Sequence, residues 1–137
     1  MATWDEVRAH LRSALKARHD DETSASLAWH FPGCAAPEEQ KVHLVQAAGM
    51  SLLVIVSVVG PEAIMPARDA LLHNRGLAFG ALAVHRDRLV LRHVMPLEAL
   101  NWACLDKALE LVAHEALRLR RCGERPAPIK PFDPFAD

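Results

Sequence analysis

Hydrophobic periodicity changes along the chain, and each change marks an element. The most apolar run is Ser51–Val59, closed by Gly60 and Pro61. Strand alternation sends Leu52, Val54, Val56 and Val58 to one side and Leu53, Ile55, Ser57 and Val59 to the other. Both sides are apolar, so the run predicts a central β-strand covered on both faces. Upstream, Trp4, Val7, Leu11, Ala14 and Leu15 recur at helical spacing behind a Thr3/Glu6 capping box, which predicts a helix over about residues 4–18. The polar stretch His19–Ser24 ends it. Leu27, Trp29 and Phe31 then alternate with Ser26, Ala28 and His30, the mark of a half-buried strand. After a loop bracketed by Pro32-Gly33 and Pro37, Val42 and Leu44 carry a second alternating strand that ends at Gly49. The short Gly49-Met50 connection predicts an antiparallel hairpin with the central run.

Beyond Gly60-Pro61 the period returns to helical through Ile64, Ala67, Leu71 and Leu72, and Pro66 places the regular part of that helix after it. Asn74-Arg75-Gly76 supplies the stop. Two further apolar runs, 78–85 and 89–95, flank the polar turn Arg86-Asp87 and predict a second hairpin. Its first strand holds Ala78, Gly80, Ala81 and Ala83, small residues that let another backbone or helix come close. Asn101 is a good N-cap for a long helix with Trp102, Leu105, Leu109, Val112, Ala116 and Leu119 on one stripe; Arg118, Arg120 and Arg121 complement its dipole and Gly123 reads as its terminator. Four prolines and two phenylalanines, Phe132 and Phe135, follow in an extended or disordered tail. The expected fold class is α+β, in the order α-β-β-β-α-β-β-α, with a largely antiparallel five-stranded sheet packed against helices. A single domain spans 1–123, with the proline-rich tail at 124–137.

Composition narrows the function mainly by exclusion. A formal charge of -1, with the basic residues dispersed, gives no field for nucleic acid. Cys34, Cys104 and Cys122 are odd in number and far apart, which reads as free thiols in a reducing compartment, the cytoplasm. No apolar run reaches the roughly 18 residues of a membrane span, and the first residues lack a signal-peptide pattern. The eight histidines form no metal-ligand spacing; His114 follows Glu110 by one helical turn, but two ligands on one helix fall short of a zinc site. No cofactor motif and no catalytic constellation appear, so the chain reads as no enzyme.

Two surfaces remain as candidates. The stripe of the first helix, with Trp4, reads as core or as part of a client groove. In the second helix, Arg68 and Asp69 beside Leu71 and Leu72 suit core packing or a two-fold interface equally.

The order of elements, together with Leu71-Leu72 and Asn74, the hairpin from Phe79 to Val94 with Leu89-Val90-Leu91-Arg92, and Pro96-Leu97 before the long helix, resembles the type III secretion chaperone-like fold. Class I (Tir-type) secretion chaperones and the YbjN-like family share that fold, and the resemblance covers roughly residues 3–122 as an architecture. It implies a bacterial homodimer, joined through the second helix and the following strand, that holds extended segments of a client protein. On that implication Ile64, Arg68, Leu71, Leu72, Phe79 and Ala81 would lie at the dimer seam.

The leading expectation is therefore a non-enzymatic homodimeric module that captures an extended peptide by sheet-edge pairing and apolar pockets, lined by Trp29, Phe31, Val42 and Leu44 with Trp4. The alternative is a small-ligand-binding or enzymatic domain with a pocket between sheet and long helix, lined by His30, His43 or His93. The central strand poses the deciding question. One of its faces belongs under the first and last helices; the second helix, a dimer mate or a bound segment covers the other.

Overall fold

The computed structural model describes residues 2–124. The chain runs α1 (Trp4–Ala14), β1 (His19–Asp20), β2 (Ser24–Trp29), β3 (Glu38–Ala47), β4 (Met50–Pro61), a 3-10 turn (Glu62–Ile64), α2 (Ala67–Asn74), β5 (Ala81–His85), β6 (Arg88–Pro96) and α3 (Trp102–Glu124). The sheet is antiparallel throughout, in the order β1-β2-β3-β4-β6-β5. It has six strands where the hydrophobic pattern implied five. The extra one, β1, is two residues from the polar stretch read as a helix terminator. Its Asp20 is held by Arg8 and Arg12 of α1, each at 3.0 Å. Asp21 then accepts from the Thr23 and Ser24 amides, both at 2.8 Å, and so closes the turn into β2.

Both hairpins turn on two residues with positive φ, Ala48-Gly49 and Arg86-Asp87, whose left-handed backbone matches the twist of the flanking strands. The long strand β4 is bulged: Val58 pairs with Val90 and Gly60 with Leu89, leaving Val59 unmatched. Arg120 of α3 satisfies the carbonyls this releases. Its Nε donates to Val59 O and its Nη2 to Val58 O, both at 2.7 Å, while the guanidinium forks onto Glu38 at 2.6 and 2.8 Å.

On one side of the sheet Leu53, Ile55 and Val59 of β4 meet Leu105, Leu109, Val112 and Leu119 of α3, all fully buried. Each contributes about 1.5–3 kcal/mol of hydrophobic stabilisation. Trp4, Val7 and Leu11 of α1 complete this layer over β2. His10 joins the two helices through Asp106 at 2.6 Å.

The helix α2 sits in the same layer. Its Ala70, with Met65 just before the helix, is buried beside Leu82 and Leu89, and its His73 lies near Arg118 and Glu115 of α3. The second helix therefore does not cover the other face of β4. Leu53, Ile55 and Val59 form the helix-covered side, and Leu52, Val54, Val56 and Val58 face away from every helix among the described residues.

Gly123 differs from its expected role as a terminator. It is helical, and a Cβ there would lie 2.7 Å from Ile64 Cγ1 and 3.0 Å from Ile64 O. Its bare backbone lets the end of α3 press onto the turn before α2. Apart from Glu124, the last residue of α3, the tail expected at 124–137 lies outside the described residues, as do Phe132 and Phe135.

Candidate protein-binding site

A sheet has two edges, and here they are finished differently. At the β5 edge the Asn74 carboxamide behaves as a neighbouring strand would. Leu82 N–H donates to Asn74 Oδ1 at 2.6 Å, and Asn74 Nδ2 donates back to Leu82 O at 3.3 Å. The outward-facing backbone pair at Leu82 is thus occupied. At the β2 edge, Leu44 N–H donates to Thr23 O at 2.8 Å, which sets the pairing phase with β3. Ala25, Leu27 and Trp29 direct their backbone groups inward, while Ser24, Ser26 and Ala28 direct theirs outward. The Ser24 and Ser26 carbonyls accept from Asp21 and Arg18, at 2.8 and 2.9 Å. The strand β1 pairs only with Ala25 and Ser26, so Ala28 projects its N–H and C=O past the end of that strand.

Beside this edge lies an aromatic shelf. Trp29 and Phe31 are parallel, centroids 6.3 Å apart at 8°, and Phe31 meets His114 of α3 edge-on at 5.6 Å. Both aromatic residues are half-buried. Trp29 is fixed from below: its Nε1 donates to Gln40 Oε1 at 2.9 Å, and the Gln40 amide donates to Ser57 Oγ at 3.1 Å and to Leu109 O at 2.9 Å. Gln40 is 1% exposed. Sequence reading missed it, although a polar residue two positions before Val42, in the inward phase of the same strand, was a usable signal.

The other residues expected to form the peptide-binding patch lie elsewhere. Val42 has no exposed surface, and Trp4 is packed in the core with its Nε1 on Asp21 O at 3.2 Å. Leu44 and Trp4 border a separate groove of about 430 Å3 at the start of α1, together with Met50 and Leu97. Neither groups with Trp29 and Phe31.

The residues expected at a dimer seam divide. Leu71 is 66% exposed and Arg68 is exposed on α2, and a groove of about 290 Å3 runs between Leu71, Met65 and Val84 of β5. Leu72 is half-buried. Ile64 and Phe79 turn toward this chain's own core: Ile64 fits between Gly60 and Gly123, and Phe79 leans on His93 at 5.4 Å. Ala81 faces the uncovered side of the sheet, opposite Arg92.

The three histidines of the ligand-pocket alternative are not brought together. His30 is exposed, and His43 and His93 lie on opposite faces, paired across β4 with Val54 and Ile55 respectively. Burial holds His93 below the ordinary histidine range, and its Nδ1 accepts from Gly80 N–H at 3.0 Å. His43 is held below it by burial first, then by Lys41 and His85, against the opposing pull of Asp21. The space between sheet and α3 is filled by Leu53, Ile55, Leu91, Leu105 and Leu109, each with no exposed surface. No group of His, Cys, Asp and Glu among the described residues could hold a metal ion. No helix among them is long and apolar enough to cross a membrane.

No protein-family model and no curated protein matches the sequence. The fold does have a solved counterpart. A chain of the HopA1-SchA chaperone–effector complex is similar, with a TM-score of 0.55 and 13% identity, over 74% of this chain and 78% of that one. At that identity the likeness establishes a shared α+β chaperone-like fold.

Proposed function

We propose that this protein is a non-enzymatic, chaperone-like module that holds an extended segment of a client protein by adding it as a strand to the β2 edge. The observation that carries the reading is the difference between the two edges. The carboxamide of Asn74 occupies the β5 edge, whereas β1 stops short and leaves Ala28 with outward backbone groups beside the Trp29–Phe31 shelf. Main-chain pairing would hold the segment, and the shelf would receive alternate side chains. Of the two groups that share the fold, the similarity to a chaperone–effector complex favours the secretion-chaperone one.

The protein acts in this reading as a homodimer through α2 and β5. Exposed Leu71 and the groove toward Val84 support that surface. With Leu82 already capped, the two copies would meet through side chains rather than by joining sheets.

Peptides selected by display on the wild-type protein test the site. Ala28→Pro removes an N–H that faces away from β3, so the fold is kept, and selected peptides should bind at least about tenfold more weakly. Trp29→Ala with Phe31→Ala should weaken them further. Unchanged affinity in both variants would place capture elsewhere. Light scattering on a sizing column tests the dimer: a monomer at micromolar concentration refutes it, and Leu71→Glu should convert a dimer to monomer.

A further inference from the structure

The uncovered face of the sheet is a second surface, independent of the β2 edge. Its floor is Leu52, Val54, Val56 and Val58 of β4 with Val90 and Val94 of β6. Val54 and Val90 are only 4% exposed and lie in a depression of that face. Ala83 of β5 and Val45 of β3 border the resulting groove, of about 480 Å3. Soluble proteins seldom leave so continuous an apolar face without a partner.

Two cationic side chains flank the floor. Lys41, Val56 and Arg92 stand in one row across β3, β4 and β6, so a positive charge flanks the floor on either side. His43 lies in the next row beside Val54, and His85 lies opposite Arg88. Among the described open-face positions of β3, the only carboxylate is Glu39, and it lies 4.0 Å from Arg18.

We infer that this face docks an amphipathic helix whose apolar stripe is flanked by acidic side chains, contributed by a partner protein. Two arguments select that occupant. The backbone groups of β4 and β6 are committed to their ladders, so the face offers side chains and no free hydrogen bonds. An extended segment laid flat on it would bury its own N–H and C=O groups without partners, whereas a helix satisfies them internally. The charges select the sign. A second copy docked face to face about a two-fold axis would bring Lys41 and Arg92 against Lys41 or Arg92, while acidic flanks complement them.

The test uses the full chain and three synthetic amphipathic helices of about 18 residues. One has a leucine stripe with glutamate flanks, one the same stripe with lysine flanks, and one the glutamate flanks with glutamine in place of leucine. The first should bind, shift the methyl resonances of Val54, Val56 and Val90, and weaken as salt is raised. Lys41→Glu with Arg92→Glu changes two exposed positions, so folding should be kept, which circular dichroism checks. That pair should weaken the acidic helix about tenfold or more and reverse the preference toward the lysine-flanked one. Val56→Arg should abolish binding of the acidic helix. Equal binding of all three peptides, methyl shifts confined to the Trp29–Phe31 edge, or a concentration-dependent self-association abolished by Val56→Arg would each overturn the inference.

Discussion

Replacing Arg120 by methionine isolates a polar contact that ties α3 to β3 and β4. The guanidinium makes four short bonds, two to Glu38 and two to the carbonyls at the β4 bulge. The Glu38 side chain is 9% exposed and that of Arg120 29%. The substitution leaves a buried carboxylate without its cation and two carbonyls without donors, and breaking a buried pair in this way costs about 3–5 kcal/mol. Because nearly a third of Arg120 is reached by water, the lower end applies, about 3 kcal/mol. With a urea m-value of about 2 kcal/mol per molar, the unfolding midpoint should fall by about 1.5 M. Glu38→Leu in the same chain removes the stranded charge, so the double variant should recover much of the loss, with a coupling energy of about 2 kcal/mol. A loss below about 1 kcal/mol for Arg120→Met, or a coupling near zero, would refute the reasoning and show that solvent screens the pair.

Three further outcomes follow from particular contacts. In the Leu71→Glu background, which removes the proposed dimer, Asn74→Ala uncovers the outward backbone pair at Leu82 and should restore self-association through β5, read as a mass increase by light scattering; an unchanged mass would show that the carboxamide is no barrier. Gly123→Ala should lower the melting temperature although alanine favours a helix by about 1 kcal/mol, because the new methyl group meets Ile64; Ile64→Ala in the same chain should relieve part of the loss. A rise in melting temperature for Gly123→Ala alone would contradict the close approach. His43, His73 and His93 are all held below their ordinary value of 6.5, burial being the largest cause in each. For His73, Arg118 adds to that lowering while Asp69 and Glu115 oppose it, and its Nε2 is buried without a partner. The unfolded chain then takes up protons before the folded one, so their contribution to stability is complete above about pH 6.5 and is lost as pH falls through the depressed folded values. The melting temperature should be lower at about pH 5.5 than at about pH 7.5, and His73→Leu should narrow the gap; no difference between the two pH values would refute it.

Much of this fold is legible along the chain because periodicity records how much of an element must be buried. The stripe of α3, the Thr3 cap of α1, the Asn101 cap of α3 and the hairpin turn at Arg86-Asp87 are local patterns, and the structure realises each one. The same logic made β4 a central strand with two apolar faces. Periodicity does not say which layer supplies the cover. Trp29 and Val42 share the inward phase of neighbouring strands, yet Val42 is sealed under the helices while Trp29 lies half-exposed near the sheet edge. Two residues of β1 are too few to make a pattern. The bonds from Asn74 to Leu82, Gln40 to Leu109 and Arg120 to Glu38 join elements far apart in space until the chain folds, and a glycine at 123 reads locally as a stop.

The choice of side for α2 has the widest consequence. Its composition suits either face of the sheet, and three-dimensional packing against α3 and β5 puts it in the helical layer. Residue types and their spacing were enough to make β4 the apolar centre of an antiparallel sheet. Which of its faces stays open, and with it the valine floor between Lys41 and Arg92, depended on where a short helix found a buried place for Ala70.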